Sequence, residues 1–518
     1  MRQEKSQLKI GVILNYINMT LGNLIPIFYT PIMLDLLGQS EYGLYKLSSS
    51  VTSYLSLISL GIGSAVTRYL IKAREEEGKE AEERVLGLFM VIFQVIAVAA
   101  MVVGTVLTLN LHVFYGDSLT AQELSRMKIL VFLMVCNMAL SFSQSPYLTA
   151  ISAHEQFVFQ QCMNIVATCV GPLLNIVALL LGYASVGMTV SSLLVGLVTR
   201  AAYGMYVKRK MKIRARYRNL PFSQLKEILL FSFWIFLATV VGTLNNATDN
   251  VMMGMVPTLA TTAVAVYSVG QTFNGVVISL TTGISNLLAP KVNKMVFSGS
   301  TDDDLLMLAV RIGRLQGYVF ALIVSGFIAF GKPFITLYAG EGYEDAYWVA
   351  VLMMIPNMIP LVQSVCLNVI MARNKHQFRS IVHLAVAIGN VIGTWFLMQV
   401  MGVVGAALMT GLTLLLGQGV AMNWYYHKRI SLNMFRFWKE VGKVYLIPVA
   451  MCAVTLMLSN WIDFRNWPAM GLGIIVYTVI YCALNWRMIM NSYEKDLFRG
   501  PLIRIQEKIS KKQRGGQR

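Results

Sequence analysis

The sequence predicts an all-α polytopic membrane protein with about 14 transmembrane helices. They form two six-helix lobes related by a parallel repeat, plus two extra C-terminal helices. Three observations carry this. The 518 residues are 56% hydrophobic and only 13% charged, where a soluble domain carries roughly a quarter charged residues. Apolar runs of about 20 residues, the length that crosses a bilayer, recur along the whole chain. The third observation is an internal repeat at offsets near 220 residues. Leu133-Met134-Val135-Cys136-Asn137-Met138 returns as Met353-Met354-Ile355-Pro356-Asn357-Met358. The stretch from Gly171 to Gly187 returns from Gly389 to Gly405, Tyr206-Val207-Lys208-Arg209 returns as Tyr426-His427-Lys428-Arg429, and Tyr45 and Gly61 map to Tyr267 and Gly283.

Taken in order, the spans are expected at 10–34, 42–70, 85–110, 127–150, 158–182, 185–207, 227–256, 260–289, 305–331, 347–372, 379–401, 403–426, 443–461 and 468–487. The first run continues through Tyr29 without a small-residue cleavage site, so it reads as a retained helix and not a signal peptide. Six helices per repeat is an even number. The copies therefore share one orientation, about an axis along the membrane normal. The expected organisation is an N-terminal lobe at 1–207 (helices 1–6), a basic linker at 208–226, and a C-terminal lobe at 227–427 (helices 7–12). Helices 13–14 follow at 428–487, with a basic tail at 488–518.

Basic residues choose the side. On this topology 36 of the 43 Lys and Arg fall on the side that holds both termini, including eight between Lys208 and Lys226 and nine from Arg487 onward. Positive charge marks the cytoplasmic face, so both termini are expected there. The net charge of +18 then matches anionic lipid head groups. Nucleic acid is not an expected partner, because no recognised nucleic-acid module accompanies the charge. The run Glu75-Glu76-Glu77 through Arg84 reads as a solvated helical loop with helpful Glu75–Lys79 and Glu80–Arg84 spacing. The six cysteines lie in apolar stretches without metal-ligand spacing and read as small hydrophobes.

A charge at mid-membrane costs about 2.5–3.5 kcal/mol on insertion scales, so each such residue needs a cavity or a partner. Lys46 begins a one-face stripe with Ser49, Ser50 and Ser53, and reads either as a lumenal cation or as a snorkelling lysine. Asn246, Asp249 and Asn250 occupy i, i+3, i+4 on helix 7 beside Asn245. They suit sugar hydroxyls, a coupling cation or a proton, and equally an interhelical contact. Asn15 and Asn18 on helix 1, Asn137 and Gln144 on helix 4, Gln271 and Asn274 on helix 8, and Asn357 on helix 10 complete the candidate cleft. Each alone is ordinary interhelical glue; together they outline a polar centre. Pro356 and Pro360 interrupt helix 10 and free backbone carbonyls or make a hinge. Arg68, Arg200, Arg311 and Arg314 sit toward cytoplasmic helix ends, where they snorkel or meet a pyrophosphate. His383, alone on an apolar helix, reads as structural.

The first 70 residues carry a pattern: Pro31-Ile32-Met33-Leu34-Asp35-Leu36-Leu37-Gly38, Glu41-Tyr42-Gly43-Leu44-Tyr45, Ser59-Leu60-Gly61 and Arg68-Tyr69. Asp249 with Gly254, Ala265-Val266-Tyr267 and Pro290 extend it. On these residues the chain resembles the polysaccharide transporter (Wzx-like oligosaccharide flippase) family of the multidrug/oligosaccharidyl-lipid/polysaccharide exporter superfamily. The resemblance implies a bacterial cell-membrane flippase that moves a polyprenyl-pyrophosphate-linked oligosaccharide to the outer leaflet by alternating access, beside other polysaccharide-assembly proteins. It implies no cofactor, and leaves the coupling ion, H+ or Na+, open. Asp35 departs from it, since many members carry a base before the Leu-Gly pair, and no phosphate contact is assigned there.

The alternative is a cation-coupled small-molecule antiporter of the same superfamily, against which stand the two additional helices and the scarcity of intramembrane carboxylates. An enzyme is not expected. The outer loops near 111–126 and 333–346 are short, their acids (Asp117, Glu123, Glu341, Glu344, Asp345) show no paired geometry, and no P-loop or zinc motif occurs.

Overall fold

A computed structural model describes residues 2–373, 375, 377–458 and 464–497, and these are helices and turns with no strand. Of the expected basic tail, residues 498–518 lie outside the described residues. The chain divides into two compact units: residues up to Val269 with His383–Met409, and Gly270–Val382 with Thr410 onward.

The first unit opens with α1 (Arg2–Leu37), which carries Pro26 and Pro31. Gly38, at φ 73°, turns the chain into α2 (Gln39–Ser53). The single span expected at 42–70 is broken. A 3-10 turn at Tyr54–Ser59 and left-handed residues Leu60 and Gly61 separate α2 from α3 (Gly63–Glu77). The break has a packing reason: a Cβ at Gly61 would lie 2.9 Å from the backbone nitrogen of Phe236, so another helix backbone passes there. Then follow α4 (Lys79–Leu109), a short α5 (Leu111–Tyr115) and α6 (Ala121–Ala153). Thr120 and Glu123 begin α6 with a reciprocal capping box. After α7 (Phe157–Leu180) and α8 (Ala184–Met205), the chain passes a π turn at Tyr206–Lys210 into the linker. It continues with α9 (Leu225–Met255) and α10 (Ala260–Phe297).

Apolar tails compete equally for apolar side chains, so close backbone packing has to hold these helices together. Gly104 of α4 meets Val135 of α6, and Gly254 of α9 meets Leu47 of α2, with added Cβ atoms at 2.5 and 2.6 Å. On α4, Val95, Val98, Val102 and Val106 form an exposed stripe suited to lipid, while Phe89, Phe93, Ile96 and Ala100 are buried.

The linker is docked. Arg216 donates its amide to the Glu83 carbonyl at 2.9 Å, and its guanidinium meets the Glu83 and Glu80 carboxylates at 2.9 and 3.2 Å. The Arg214 amide reaches Glu83 Oε1 at 3.3 Å. Gly87 is required beneath this strap, because a Cβ there would overlap the Arg216 carbonyl oxygen. The acidic stretch expected to be merely solvated thus holds the linker, and Glu82 of the same turn pairs with His154 at 3.3 Å.

The second unit contains α11 (Asp302–Ala339), opened by a Thr301–Asp304 capping box, then α12 (Asp345–Val362) with both prolines and α13 (Ser364–Ala372). α14 (Gln377–Leu414) is shared with the first unit and is kinked at Gly402, whose φ 60°, ψ −140° only glycine adopts readily. A π segment (Leu415–Met422), α15 (Asn423–Lys428), α16 (Met434–Gly442), α17 (Leu446–Leu458) and α18 (Trp467–Leu484) follow, with a second π segment (Asn485–Ile489) and a helical stretch at 492–497 after them.

Among the described residues ten helices are long and apolar enough to cross a membrane. An eleventh is added if Phe222–Leu230 and Ile235–Met255, bent by 50°, form one broken span. Three expected spans stand outside this number: α2 and α3 are 15 residues each, the side chains at 280–290 of α10 lie outside the described residues, and Gln377–Lys428 counts once at 52 residues although Gly402 breaks it. At 1.5 Å per residue that stretch is about 78 Å long, more than twice the hydrocarbon thickness.

Candidate functional site

The candidate residues fall into two groups, one in each compact unit. In the first unit the polar residues of α9 are brought against α2 and α10. Asp249 is 1% exposed and accepts a hydrogen bond from the Tyr267 hydroxyl of α10. Its neighbour Asn250, also buried, donates Nδ2 to Ser50 Oγ of α2 at 3.0 Å. Thr248 Oγ1 lies 2.5 Å from the hydroxyl of Tyr54. Lys46 is half-buried on the same helix as Ser50, with its ammonium 5.4 Å from the centre of the Tyr42 ring. Asn246 is exposed and donates to the Gly242 carbonyl of its own helix at 2.9 Å. Asn246 lies one turn before Asp249-Asn250 on the same helix, and it is the pair that makes the interhelical contacts.

The same helices are joined again one end further on. Glu123 Oε1 of α6 accepts from Ser40 at 2.7 Å and from Thr261 of α10 at 3.1 Å, and the Ser40 and Thr261 hydroxyl oxygens are 3.1 Å apart. A Cβ at Gly43 would overlap the Thr261 carbonyl oxygen, so α2 and α10 touch backbone to backbone. Glu41 takes Arg126 at 2.7 Å and the Ser185 hydroxyl, and Ser118 donates to the Gly254 carbonyl at 2.6 Å. The Glu41-Tyr42-Gly43 triplet thus has a structural meaning: an acid that ties α6 and α8, a tyrosine wholly buried, and a glycine that admits α10. Ser40, Thr261, Thr248 and Tyr54 were not among the candidates. A hydroxyl on an apolar helix is too common a signal, and only the missing Cβ at Gly43 hinted at a close neighbour.

The remaining first-unit candidates are dispersed. Asn18 accepts from Thr168 at 3.1 Å, and Asn15 is exposed on α1. Asn137 Oδ1 sits where a Cβ on Gly196 would come within 2.7 Å, and Gln144 accepts from Thr199 at 3.5 Å. Arg68 is exposed and Arg200 half-buried.

In the second unit Asn357 donates to Asn274 Oδ1 at 3.1 Å, joining α12 to α10, and Gln271 is half-buried one turn before Asn274. Asn137 and its repeat partner Asn357 each abut a neighbouring helix. Arg311 is exposed with its guanidinium 4.9 Å from the Tyr493 ring centre. Arg314 is 5% exposed. It gives Nε and a second nitrogen to the Glu494 carboxylate at 2.5 and 3.0 Å, and donates to the carbonyls of Glu440 and Ile489, each at 2.9 Å. Tyr318 completes the cluster, with its hydroxyl 3.1 Å from Glu494. A phosphate reaching Arg314 in this arrangement has to displace Glu494. Among the described residues no three His, Cys, Asp or Glu side chains gather as a metal site.

The comparisons with known proteins agree with this architecture. The family model described as "Polysaccharide biosynthesis protein" matches residues 8–292. No curated protein matches the chain. Among solved structures, "Lipid II flippase MurJ, inward closed conformation" shares the fold at a TM-score of 0.73 and 14% identity, over 92% of this chain and 98% of that one. The Vibrio cholerae MATE transporter VcmN matches at 0.57 and 15%, over 84% and 100%. An inward-facing multidrug resistance MATE family transporter of the MOP superfamily matches at 0.53 and 14%, over 83% and 99%. With more than half of its length matched by one family model, this multi-pass membrane chain belongs to the polysaccharide biosynthesis protein family and has the fold of the MOP superfamily.

Proposed function

We propose that the protein is a flippase that carries a polyprenyl-pyrophosphate-linked oligosaccharide from the cytoplasmic to the outer leaflet of a bacterial cell membrane, for surface polysaccharide synthesis. Residues 1–207 and 227–427 act as two rocking lobes, with helices 13–14 outside the repeat. The observation that carries the reading is the polar junction of α2 and α6 with α9 and α10. It ties residues of the first repeat to residues of the second at Ser40, Glu123, Ser50, Asn250, Tyr54, Thr248 and Thr261. Hydrogen bonds between polar side chains in a membrane are worth only about 0.6–2 kcal/mol each, so such a junction is strong enough to close and weak enough to open. The basic loops lie at the opposite helix ends, so by the charge rule the junction closes the outer side. The family membership and the flippase fold support a lipid-linked cargo.

Asp249, Asn250 and Lys46 are the residues we assign to the path. In vesicles holding the purified protein and a fluorescent polyprenyl-pyrophosphate oligosaccharide, Asp249→Ala and Lys46→Ala are expected to slow flipping by about tenfold or more, equivalent to about 1.4 kcal/mol. In cells, loss of the protein is expected to leave lipid-linked repeat units on the cytoplasmic leaflet; normal amounts on the outer leaflet would sink the proposal. The buried Asp249 carboxylate and the MATE likeness favour a second reading, a cation-coupled small-molecule antiporter. Ion-driven export of organic cations, with no movement of the lipid-linked sugar, selects it.

A further inference from the structure

We infer that the exposed face of α16 binds the head groups of anionic phospholipid at the membrane surface. Its nine residues are divided sharply by face. Met434, Phe437 and Val441 are buried at 4%, 0% and 0%, at the i, i+3, i+7 spacing of one helical stripe. That stripe seats on α11, where a Cβ at Gly313 would come 3.1 Å from the Phe437 ring. The other face is not bare polar surface. Phe435 is 79% exposed, flanked on the same face by exposed Arg436 and Lys439, with exposed Lys428, Arg429 and Lys443 to either side. An apolar ring within a cluster of cations, on a helix of strong amphipathic character, fits the boundary between head groups and acyl chains.

Position and charge decide the occupant. α16 follows α15 and runs through a short 3-10 turn into α17, and Met434–Leu458 together form one candidate span, so α16 is the end of a membrane-crossing helix, at the level of a bilayer surface. The nearby acids are already engaged: Asp303 lies 3.5 Å from Arg436, and Glu440 holds Lys443 at 2.8 Å while its carbonyl takes Arg314. Five exposed cations against these two acids leave a net positive patch that complements a phosphodiester surface. Asn433 fixes the start of the helix by accepting from the Arg436 amide at 3.1 Å, and Trp438 Nε1 donates to Asn423 at 2.8 Å. The element is therefore held in place before any lipid arrives. This inference does not depend on the proposed cargo, because it rests on the exposed face of α16 alone.

The test places a benzoylphenylalanine photocrosslinker at position 435 of the full chain, in vesicles of mixed phosphatidylglycerol and phosphatidylcholine. Crosslinking at low salt is expected to favour phosphatidylglycerol. The Arg436→Gln/Lys439→Gln pair is expected to lower that yield by about tenfold or more, as removal of two surface cations implies. Both side chains are exposed, so the pair leaves the buried stripe intact, and circular dichroism verifies that the fold is kept. Equal labelling of the two lipids, a yield unchanged in the double variant, or crosslinking to a second copy of the chain instead of lipid would each overturn the inference.

Discussion

Glu494 shows how one buried carboxylate settles a local structure. Burial pushes its carboxyl up, but hydrogen bonds from Arg314, the Asn491 amide and Tyr318 outweigh it and hold the group below the usual carboxylate range. A carboxyl depressed in the folded state stabilises fully above its unfolded value of about 4.3, and that stability is lost as pH falls through the folded value. Amide protection factors at residues 490–497, with the intrinsic pH dependence of exchange divided out, are therefore expected to fall on acidification below about pH 4 and to be constant between about pH 6 and 8. Glu494→Ala leaves a buried guanidinium unpaired and is expected to cost about 3–5 kcal/mol, while Arg314→Met with Glu494→Leu recovers most of it. Thermal unfolding in detergent reads both. Sequence reasoning placed Arg314 toward a cytoplasmic helix end, snorkelling or meeting a pyrophosphate, because its partner lies 180 positions away in the expected basic tail.

At the scale of elements, packing of α2 on α10 depends on an absent side chain. Gly43→Ala is expected to destabilise the protein by about 1–3 kcal/mol through collision with the Thr261 carbonyl. Gly22→Ala, with nothing within 4 Å of the added atom, is expected to be neutral or to stabilise by about 0.5–1 kcal/mol. Equal unfolding midpoints for the two variants would remove the close contact. Helix positions were legible because a twenty-residue apolar window is a long, redundant signal. The interruption of α2 and α3 was not, since Leu60-Gly61 looks like any apolar pair until another helix backbone is known to pass it. The docked acidic turn was equally hidden: Glu80 and Glu83 have lysines and arginines nearby in sequence, and their actual partner arrives from residue 216. Asp249 and Asn250 stood out because amides and acids are rare inside spans, and they do sit at a helix junction.

For the whole molecule, the junction between the repeats has to part if the protein works by rocking. The Ser40 and Thr261 oxygens, 3.1 Å apart, mark a pair that a disulfide spans with little backbone movement. Ser40→Cys with Thr261→Cys is expected to abolish flipping when oxidised and to regain it on reduction, read as leaflet-specific labelling of the cargo. Transport that persists with complete crosslinking would exclude opening at this end.

The strap on α4 sets a mechanical limit. With Arg216 fastened to Glu80 and Glu83, the slack between α4 and α9 is not the whole basic connection but only the nine backbone steps from Arg216 to Leu225. Fully stretched, that leash reaches about 32 Å. If the two lobes rock as proposed, it works as an end-stop: the strapped end of α4 and the start of α9 swing apart only as far as the leash allows, and cutting the buckle at Glu83 is expected to lengthen that stroke.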